Sequence, residues 1–394
     1  MAKSERINRL ILRRNDKPFR DRAVQLFIIQ GTPFCNINCS YCYLPNRNDK
    51  TIITDEIIVR AMEQLKKHDL IARELTIGWH AGEPLMVPIK RYEEVFDLIE
   101  KHAPRGVRVR QSIQTNGVGL NDDWCEFIKE RNIQLGLSVD GPEHFHDKYR
   151  KTKTGKNTHH LAQKAIDQLN KYNIRFHVIC VLNELSIQHP VQLYDYFESI
   201  GSMSVGFNID ELEGANESSC LHNSDEAVEN FWSILTQYYF DKGPDAMRVR
   251  EFSDIEHKLK DRMRRDENTL FSTSQNSLYS IFTLGANGDF SSYSPELIGN
   301  KSSKYKDFIF GNVLRDDLAE VLDRKHVSRL GKDIQKGVKK CFKTCEYFSM
   351  CGGGAPSNKL YENGKFSSTE TDYCNYMRKM PLEAYMNVKS KLHV

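Results

Sequence analysis

The sequence predicts an α/β fold: an open, partial (β/α)6 barrel of the TIM type, followed by a cysteine-rich C-terminal region. Three observations carry this. Six short apolar runs alternate with longer amphipathic stretches. The notable polar motifs of that region follow the runs directly. Seven of the ten cysteines fall into two groups, 35–42 and 341–374.

The apolar runs cover residues 23–30, 75–79, 107–114, 133–139, 175–182 and 203–209. They are rich in Val, Ile and Phe, and many close on Gly, Pro, Asn or Asp, as buried strands do. Helical periodicity fills the intervals at 55–68, 89–102, 122–131, 159–172 and 189–200. Repeated strand–helix units give a mostly parallel sheet with helices outside. Six units are too few to close an eight-fold barrel, so an open one is expected, with its chemistry on the loops after the strands. Beyond residue 213 the composition shifts. Residues 214–223 are small and polar and read as a loop. Residues 227–239 and 254–263 look helical, 280–294 reads as a hairpin around Ala286-Asn287-Gly288, 341–374 as loop-rich, and 377–391 as a closing helix. The expected organisation is an N-terminal extension (1–22), a barrel (23–213), a bridging region (214–270) and a C-terminal domain with the hairpin and the second cysteine group (271–394).

Bulk properties exclude several functions. The 394 residues carry 56 basic and 53 acidic side chains, a net charge of +3. That balance gives no reason to expect a nucleic-acid or membrane surface. The polar, basic start lacks the apolar core of a secretory signal. No apolar run approaches the ~18 residues a membrane span needs, so a cytoplasmic location is expected. Where thiols stay reduced, grouped cysteines bind metal more often than they form disulfides. Cys125, Cys180 and Cys220 stand apart and read as buried or incidental thiols.

The first group, Gly31-Thr-Pro-Phe-Cys35-Asn-Ile-Asn-Cys39-Ser-Tyr-Cys42, follows the first strand. Three thiolates at spacings of four and three can hold a 4Fe–4S cluster with one iron open, whereas a fully protein-bound cluster takes four. The alternative is zinc, which wants a fourth nearby ligand; no Cys or His lies between Cys42 and His68.

This pattern, C-x3-C-x-aromatic-C after strand one, resembles the radical S-adenosylmethionine (SAM) superfamily. The likeness implies a partial (β/α)6 barrel and a SAM-derived radical that removes a substrate hydrogen. Further motifs follow in order: Ala81-Gly82-Glu83-Pro84 after strand two, Gln114-Thr-Asn116-Gly after strand three, and Ser138-Val-Asp140-Gly-Pro after strand four. By resemblance Tyr41 lies against the adenine, and Ala81, Gly82 and Glu83 hold the SAM amino group. Gln114, Asn116, Ser138 and Asp140 would line its ribose and carboxylate, and Arg150 would reach the carboxylate. Ala81 replaces a glycine, which a methyl tolerates if φ is not positive. His80 reads as a satisfied structural histidine.

Cys341-x3-Cys345-x5-Cys351-x22-Cys374 resembles the SPASM domain of peptide-modifying radical SAM enzymes. The usual form has seven cysteines and two clusters; here Ser280, Tyr293 and Ala355 stand where the other ligands align. One auxiliary 4Fe–4S cluster, ligated by Cys341, Cys345, Cys351 and Cys374, is therefore expected, with zinc on the same four thiolates as the alternative.

Trp79-His-Ala-Gly-Glu-Pro, Gly206-Phe-Asn-Ile-Asp210-Glu211-Leu-Glu213-Gly and the segment from Cys351 to Gly364 look like cyclophane-forming maturases of glycine-rich-repeat and Xye-type precursors. That likeness implies a carbon–carbon bond between an aromatic ring carbon and the β-carbon of a residue two positions later in a ribosomally made precursor peptide. An electron donor such as flavodoxin or ferredoxin is implied as well. Rearomatisation needs a proton acceptor; Asp210 and Glu211 are candidates, and Asp254 is a rival, one position from where sulfatase-maturing relatives align a catalytic aspartate. Ser253 at the aligned position counts against formylglycine formation. Only 34 residues precede Cys35, too few for a leader-binding domain. The rival readings are another peptide modification (formylglycine, thioether or epimer formation) and a non-catalytic iron–sulfur redox sensor.

Overall fold

The computed structural model describes residues 23–262 and 273–391; the N-terminal extension expected at 1–22 lies outside them. Six parallel strands, β1 (Val24–Ile29), β2 (Ile71–Trp79), β3 (Arg108–Thr115), β4 (Gln134–Ser138), β5 (Phe176–Leu182) and β6 (Ser204–Ile209), stand side by side in chain order. Each ends within a residue of an apolar run, and all but β2, which starts four residues earlier at Ile71, also begin within one; a strand with both faces covered needs near-continuous Val, Ile and Leu.

The helices between them are set by local chemistry. In Asp55–Lys67 the Thr54 side chain caps the Ile57 amide, Asp55 and Glu56 occupy the first turn, and Lys66 and Lys67 the last, as the helix dipole favours. Ile57, Ile58, Ala61, Met62 and Leu65 form the stripe it buries. Asn121 caps Asp122–Glu130 in the same way. Trp79, at the end of β2, anchors two helices to the sheet. Its ring meets Tyr92 edge-on at 4.8 Å and Phe96 at 5.8 Å, Tyr92 meets Trp124 at 5.6 Å, and the indole N–H donates to Gln111 at 2.9 Å.

Six units are not the whole sheet. β7 (Arg248–Val249) adds in parallel to β6, and β8 (Ile281–Leu284) adds in parallel to β1. β9 (Asp289–Ser292) and β10 (Gly311–Asn312) continue the sheet antiparallel. The hairpin expected at 280–294 is thus present as β8–β9, and it is joined to the barrel sheet through β1. The segment 214–223 is a loop, pinned by the Ala215 amide on the Tyr43 carbonyl at 2.9 Å. The region from Cys341 is more helical than expected. Cys341 sits in the last turn of helix Lys325–Thr344, and Phe348–Cys351 and Pro356–Asn363 are further helical pieces. The closing helix, Met380–Lys391, docks Tyr385 against Phe240 at 5.2 Å and Phe252 at 5.7 Å. No helix among the described residues is long and apolar enough to cross a membrane.

Candidate active site

A cavity of about 250 Å³ opens where the loops after β1 to β4 and β6 converge. Cys35, Cys39 and Cys42 line it together. Their loop is held by its backbone: the Cys35 amide donates to the Arg47 carbonyl, Asn38 to Lys151 and Ser40 to Tyr149. Burial pushes the thiols of Cys35 and Cys39 up, to about 11 and about 12, and each is raised further by Cys42. Three mutually repelling thiols beside a hollow fit a group that takes them as thiolates. Among the described residues no three Cys, His, Asp or Glu side chains are gathered tightly enough for one metal ion; cubane thiolates bind separate irons and need not be.

Behind this loop Asp140 organises the wall. Fully buried, it accepts four hydrogen bonds: from the Tyr41 hydroxyl at 2.5 Å, Arg150 Nε at 2.9 Å, Arg150 Nη2 at 3.1 Å and the Val181 amide at 3.0 Å. A carboxylate offers about four acceptor positions, so none is left for a ligand, and Asp140 is not among the lining residues. Its hydrogen bonds hold the Tyr41 and Arg150 side chains and the backbone of Val181. Tyr41 and Arg150, which it fixes, do line the cavity, and Arg150 Nη1 lies 3.8 Å from Cys39 Sγ.

Glu83 is buried on the opposite strand ends. It accepts from the Leu85 amide at 2.9 Å, the Thr115 hydroxyl at 2.5 Å and the Asn116 amide at 2.9 Å. Burial still pushes its carboxyl up to about 7. Asn116 braces the cysteine loop, donating to Asn36 at 2.8 Å and lying 3.8 Å from Cys35 Sγ. Gln114 donates to Ser138 at 2.8 Å, and both line the cavity. Gly82 has φ of +133°, and a Cβ there would lie 2.0 Å from the Thr32 carbonyl oxygen, so this position accepts only glycine. At Ala81 the condition for tolerating a methyl is not met: φ is +69°. The residue is held in the left-handed region, with Gln30 donating to its carbonyl at 2.7 Å. His80 lines the cavity too, but its Nδ1 is buried without a partner, which corrects the expectation of a satisfied histidine. Burial lowers its pKa to about 4 and keeps it neutral.

Of the three candidate bases, two reach the cavity. Asp210 lines it, yet its oxygens are taken by Asn216 at 2.8 Å and the Cys220 amide at 2.9 Å, so it shapes the loop after β6. Glu211 lines it with one hydrogen bond, from Asn358 at 2.6 Å, and burial pushes it up to about 7. Asp254 does not reach it. On the exposed side of helix Arg250–Arg262, it borders a small pocket with Lys258, Cys351 and Arg378. Sequence reasoning missed Glu213, Glu296 and Tyr43, which also line the cavity. Glu213 was legible as the second of two carboxylates spaced by two in an extended segment; Glu296, after the hairpin, carried no signal.

Cys341, Cys345, Cys351 and Cys374 face a second, smaller hollow. Lys359, 4% exposed, donates to Cys341 Sγ at 3.3 Å and to the Gly353 carbonyl at 2.7 Å, and Arg378 lines the same hollow. A buried lysine facing a thiol fits an anionic four-thiolate group. Gly352, Gly353 and Gly354 all have positive φ, 69°, 101° and 74°, a path open to glycine. Where the missing ligands align, Tyr293 packs on Phe310 at 6.3 Å and Ala355 is buried. Of the remaining thiols, Cys125 and Cys180 are buried and Cys220 is exposed.

Comparison with known proteins agrees with this geometry. Residues 29–197 match the radical SAM superfamily model. The Synechocystis protein sll1766 is 36% identical over 361 residues, 89% of this chain and 88% of its own. A serine-type anaerobic sulfatase-maturating enzyme of Bacteroides thetaiotaomicron is 25% identical, covering 83% of this chain and 81% of its own. The structure of anSMEcpe with bound AdoMet and Kp18Cys peptide superposes with a TM-score of 0.73 at 18% identity, over 93% of this chain and 98% of that one; at that identity it bears on the fold alone. Membership of this family implies a 4Fe–4S cluster and SAM, and the three thiols lining the cavity fit that pair. With its motifs, barrel and relatives taken together, the chain belongs to the radical SAM superfamily.

Proposed function

We propose that the protein is a peptide maturase that joins an aromatic ring carbon to the β-carbon of a residue two positions later in a ribosomally made precursor. The observation that carries this is Glu211, a half-buried carboxylate with raised pKa in the same cavity as the three thiols. When bound, SAM and its cluster would supply a hydrogen-abstracting radical, and an auxiliary cluster an electron acceptor. The β-carbon loses a hydrogen atom, the resulting carbon radical adds to the ring, and rearomatisation releases one electron and one proton, so the peptide ends two hydrogens lighter.

The chain's own part is binding, orientation and proton transfer. Cys35, Cys39 and Cys42 would hold the SAM-binding cluster. Tyr41, Glu83, Gln114, Ser138 and Arg150 would bind and orient SAM, with Ala81, Gly82 and Asn116 shaping the loops and Asp140 fixing Tyr41 and Arg150. Glu211, its carboxyl raised by burial to about 7, would in its ionised form take the ring proton. Cys341, Cys345, Cys351 and Cys374 would hold the auxiliary cluster, with Lys359 balancing its charge. A flavodoxin or ferredoxin would supply electrons.

A second reading, formylglycine formation on a sulfatase, is favoured by the Bacteroides relative; against it stands Asp254, placed outside the cavity. One experiment separates them. The reconstituted protein is incubated without oxygen with SAM, a reductant and either a precursor peptide encoded beside its gene or a sulfatase peptide. The crosslinking reading expects 5′-deoxyadenosine and a precursor lighter by two hydrogens. An oxidised sulfatase peptide with unchanged precursor would replace it.

A further inference from the structure

Glu213 and Glu296 share the cavity with Glu211 but have no use in the chemistry above. Glu213 is 4% exposed. Its Oε1, Glu296 Oε2 and the Tyr43 hydroxyl are buried with no hydrogen-bond partner, and all three side chains line the cavity. The carboxylates are neighbours: Glu211 and Glu296 both raise Glu213. Among the described residues none of the three has a salt-bridge partner. The charged and polar groups that face them are Arg378 and Asn358 at Glu211, Ser357 at Glu213, Tyr361, whose buried hydroxyl also lacks a partner, beside Glu213 and Glu296, and Glu362, which adds further negative charge to Glu211 and Glu213.

Buried carboxylates are protonated, hydrogen-bonded or matched by a cation. Buried oxygens without donors, on side chains that line a cavity, call for a ligand that brings N–H groups and positive charge. A bare metal ion does not fit, since among the described residues no three such side chains are gathered tightly enough for one. On the reading above the ammonium of SAM would fall to the other group of residues, around Glu83, which acts on Cys35. Glu213 and Glu296 instead come from the loop after β6 and the segment after β9.

We infer that Glu213 and Glu296, with the Tyr43 hydroxyl, form a subsite that receives an organic cation of the peptide substrate: a lysine ammonium, an arginine guanidinium or the peptide amino terminus. This rests on the peptide-substrate reading above. A cation seated there also favours the ionised form of the neighbouring Glu211, so correct substrate readies the proton acceptor.

The test is equilibrium binding to the anaerobically purified full chain with its clusters. The probes are n-butylammonium, n-butylguanidinium and the neutral 1-pentanol, followed by calorimetry or ligand-observed NMR. At pH 8 the cations bind and pentanol does not. Glu213→Gln and Glu296→Gln each weaken cation binding by about tenfold or more, while SAM affinity stays within about twofold. In the wild-type protein cation affinity falls about tenfold between pH 8 and pH 6, as Glu296, raised by burial to about 7, takes up its proton; this arm needs no variant. Equal binding of pentanol, unchanged cation affinity in both variants, or a flat pH profile would overturn the subsite. A parallel loss of SAM affinity would overturn it in favour of SAM's own ammonium and sulfonium. Binding is read without turnover. A protein that crosslinks no peptide but binds butylammonium through Glu213 would retire the crosslinking reading alone, and the converse result would retire the subsite alone.

Discussion

Replacing Asp140 by Asn removes one charge from the most heavily bonded carboxylate of the cavity wall. Asp140 is fully buried and accepts from Tyr41, twice from Arg150 and from the Val181 amide. Asparagine keeps the shape but turns one acceptor oxygen into a donor, which then faces donors. It also leaves Arg150, 6% exposed, without its counter-charge. Breaking a buried ion pair from one side costs roughly 3–5 kcal/mol. Losing only the Tyr41 hydroxyl, as in Tyr41→Phe, costs about 1–2 kcal/mol. Urea unfolding of chains purified without oxygen, followed by circular dichroism at matched iron content, measures both. The double variant Asp140→Asn/Arg150→Met removes the orphaned charge and is expected to be more stable than Asp140→Asn alone. SAM affinity should fall in Asp140→Asn although Asp140 does not line the cavity, because Tyr41 and Arg150 lose their anchor. A loss below about 1 kcal/mol, or no recovery in the double variant, would refute the view of Asp140 as the buried support.

Further outcomes follow from single positions. Ala81→Gly relieves a left-handed φ and should stabilise the chain by about 0.5–1 kcal/mol in the same unfolding assay. Gly82→Ala drives a methyl into the Thr32 carbonyl and should cost more than about 2 kcal/mol, seen as lost soluble protein or a lowered Tm. His80, with pKa lowered to about 4 by burial, binds its proton more readily unfolded than folded. Its contribution is therefore full above about pH 6.5 and is lost as pH falls toward 4. Comparing urea midpoints of wild type and His80→Asn should show ~1–3 kcal/mol of wild-type stability disappearing over that window. Cys374→Ala should lower bound iron from about eight to about four atoms per chain while leaving the SAM-binding cluster's spectroscopic signal in place.

Much of this was legible because the signals were local. The strand and helix bounds follow from apolar period and caps, as at Thr54 and Asn121, and the three-cysteine loop announces itself by spacing. What stayed hidden depends on contacts between distant segments. β7 is two residues long and has no periodicity to read; it exists because β6 offers an edge. β8 reads as half of a hairpin, and nothing local says that its other neighbour is β1. Asp140 resembles a ligand contact until Arg150 and Val181 are seen to fill its oxygens. Asp254 lies near an expected position in sequence, yet helix Arg250–Arg262 turns it toward a separate pocket that it shares with Cys351. Glu296 joins Glu213 only because the segment after the hairpin folds back over the barrel mouth. Ala81 shows the limit most simply, since a residue name does not reveal its φ.

The proposed chemistry requires Cys35, Cys39 and Cys42 to hold a cluster whose open iron takes SAM. Its most direct measurement is 5′-deoxyadenosine release by anaerobically reconstituted protein, wild type against Cys35→Ala/Cys39→Ala/Cys42→Ala. The account predicts release by the wild type and none above background from the triple variant. Release by the triple variant at the wild-type rate would contradict it.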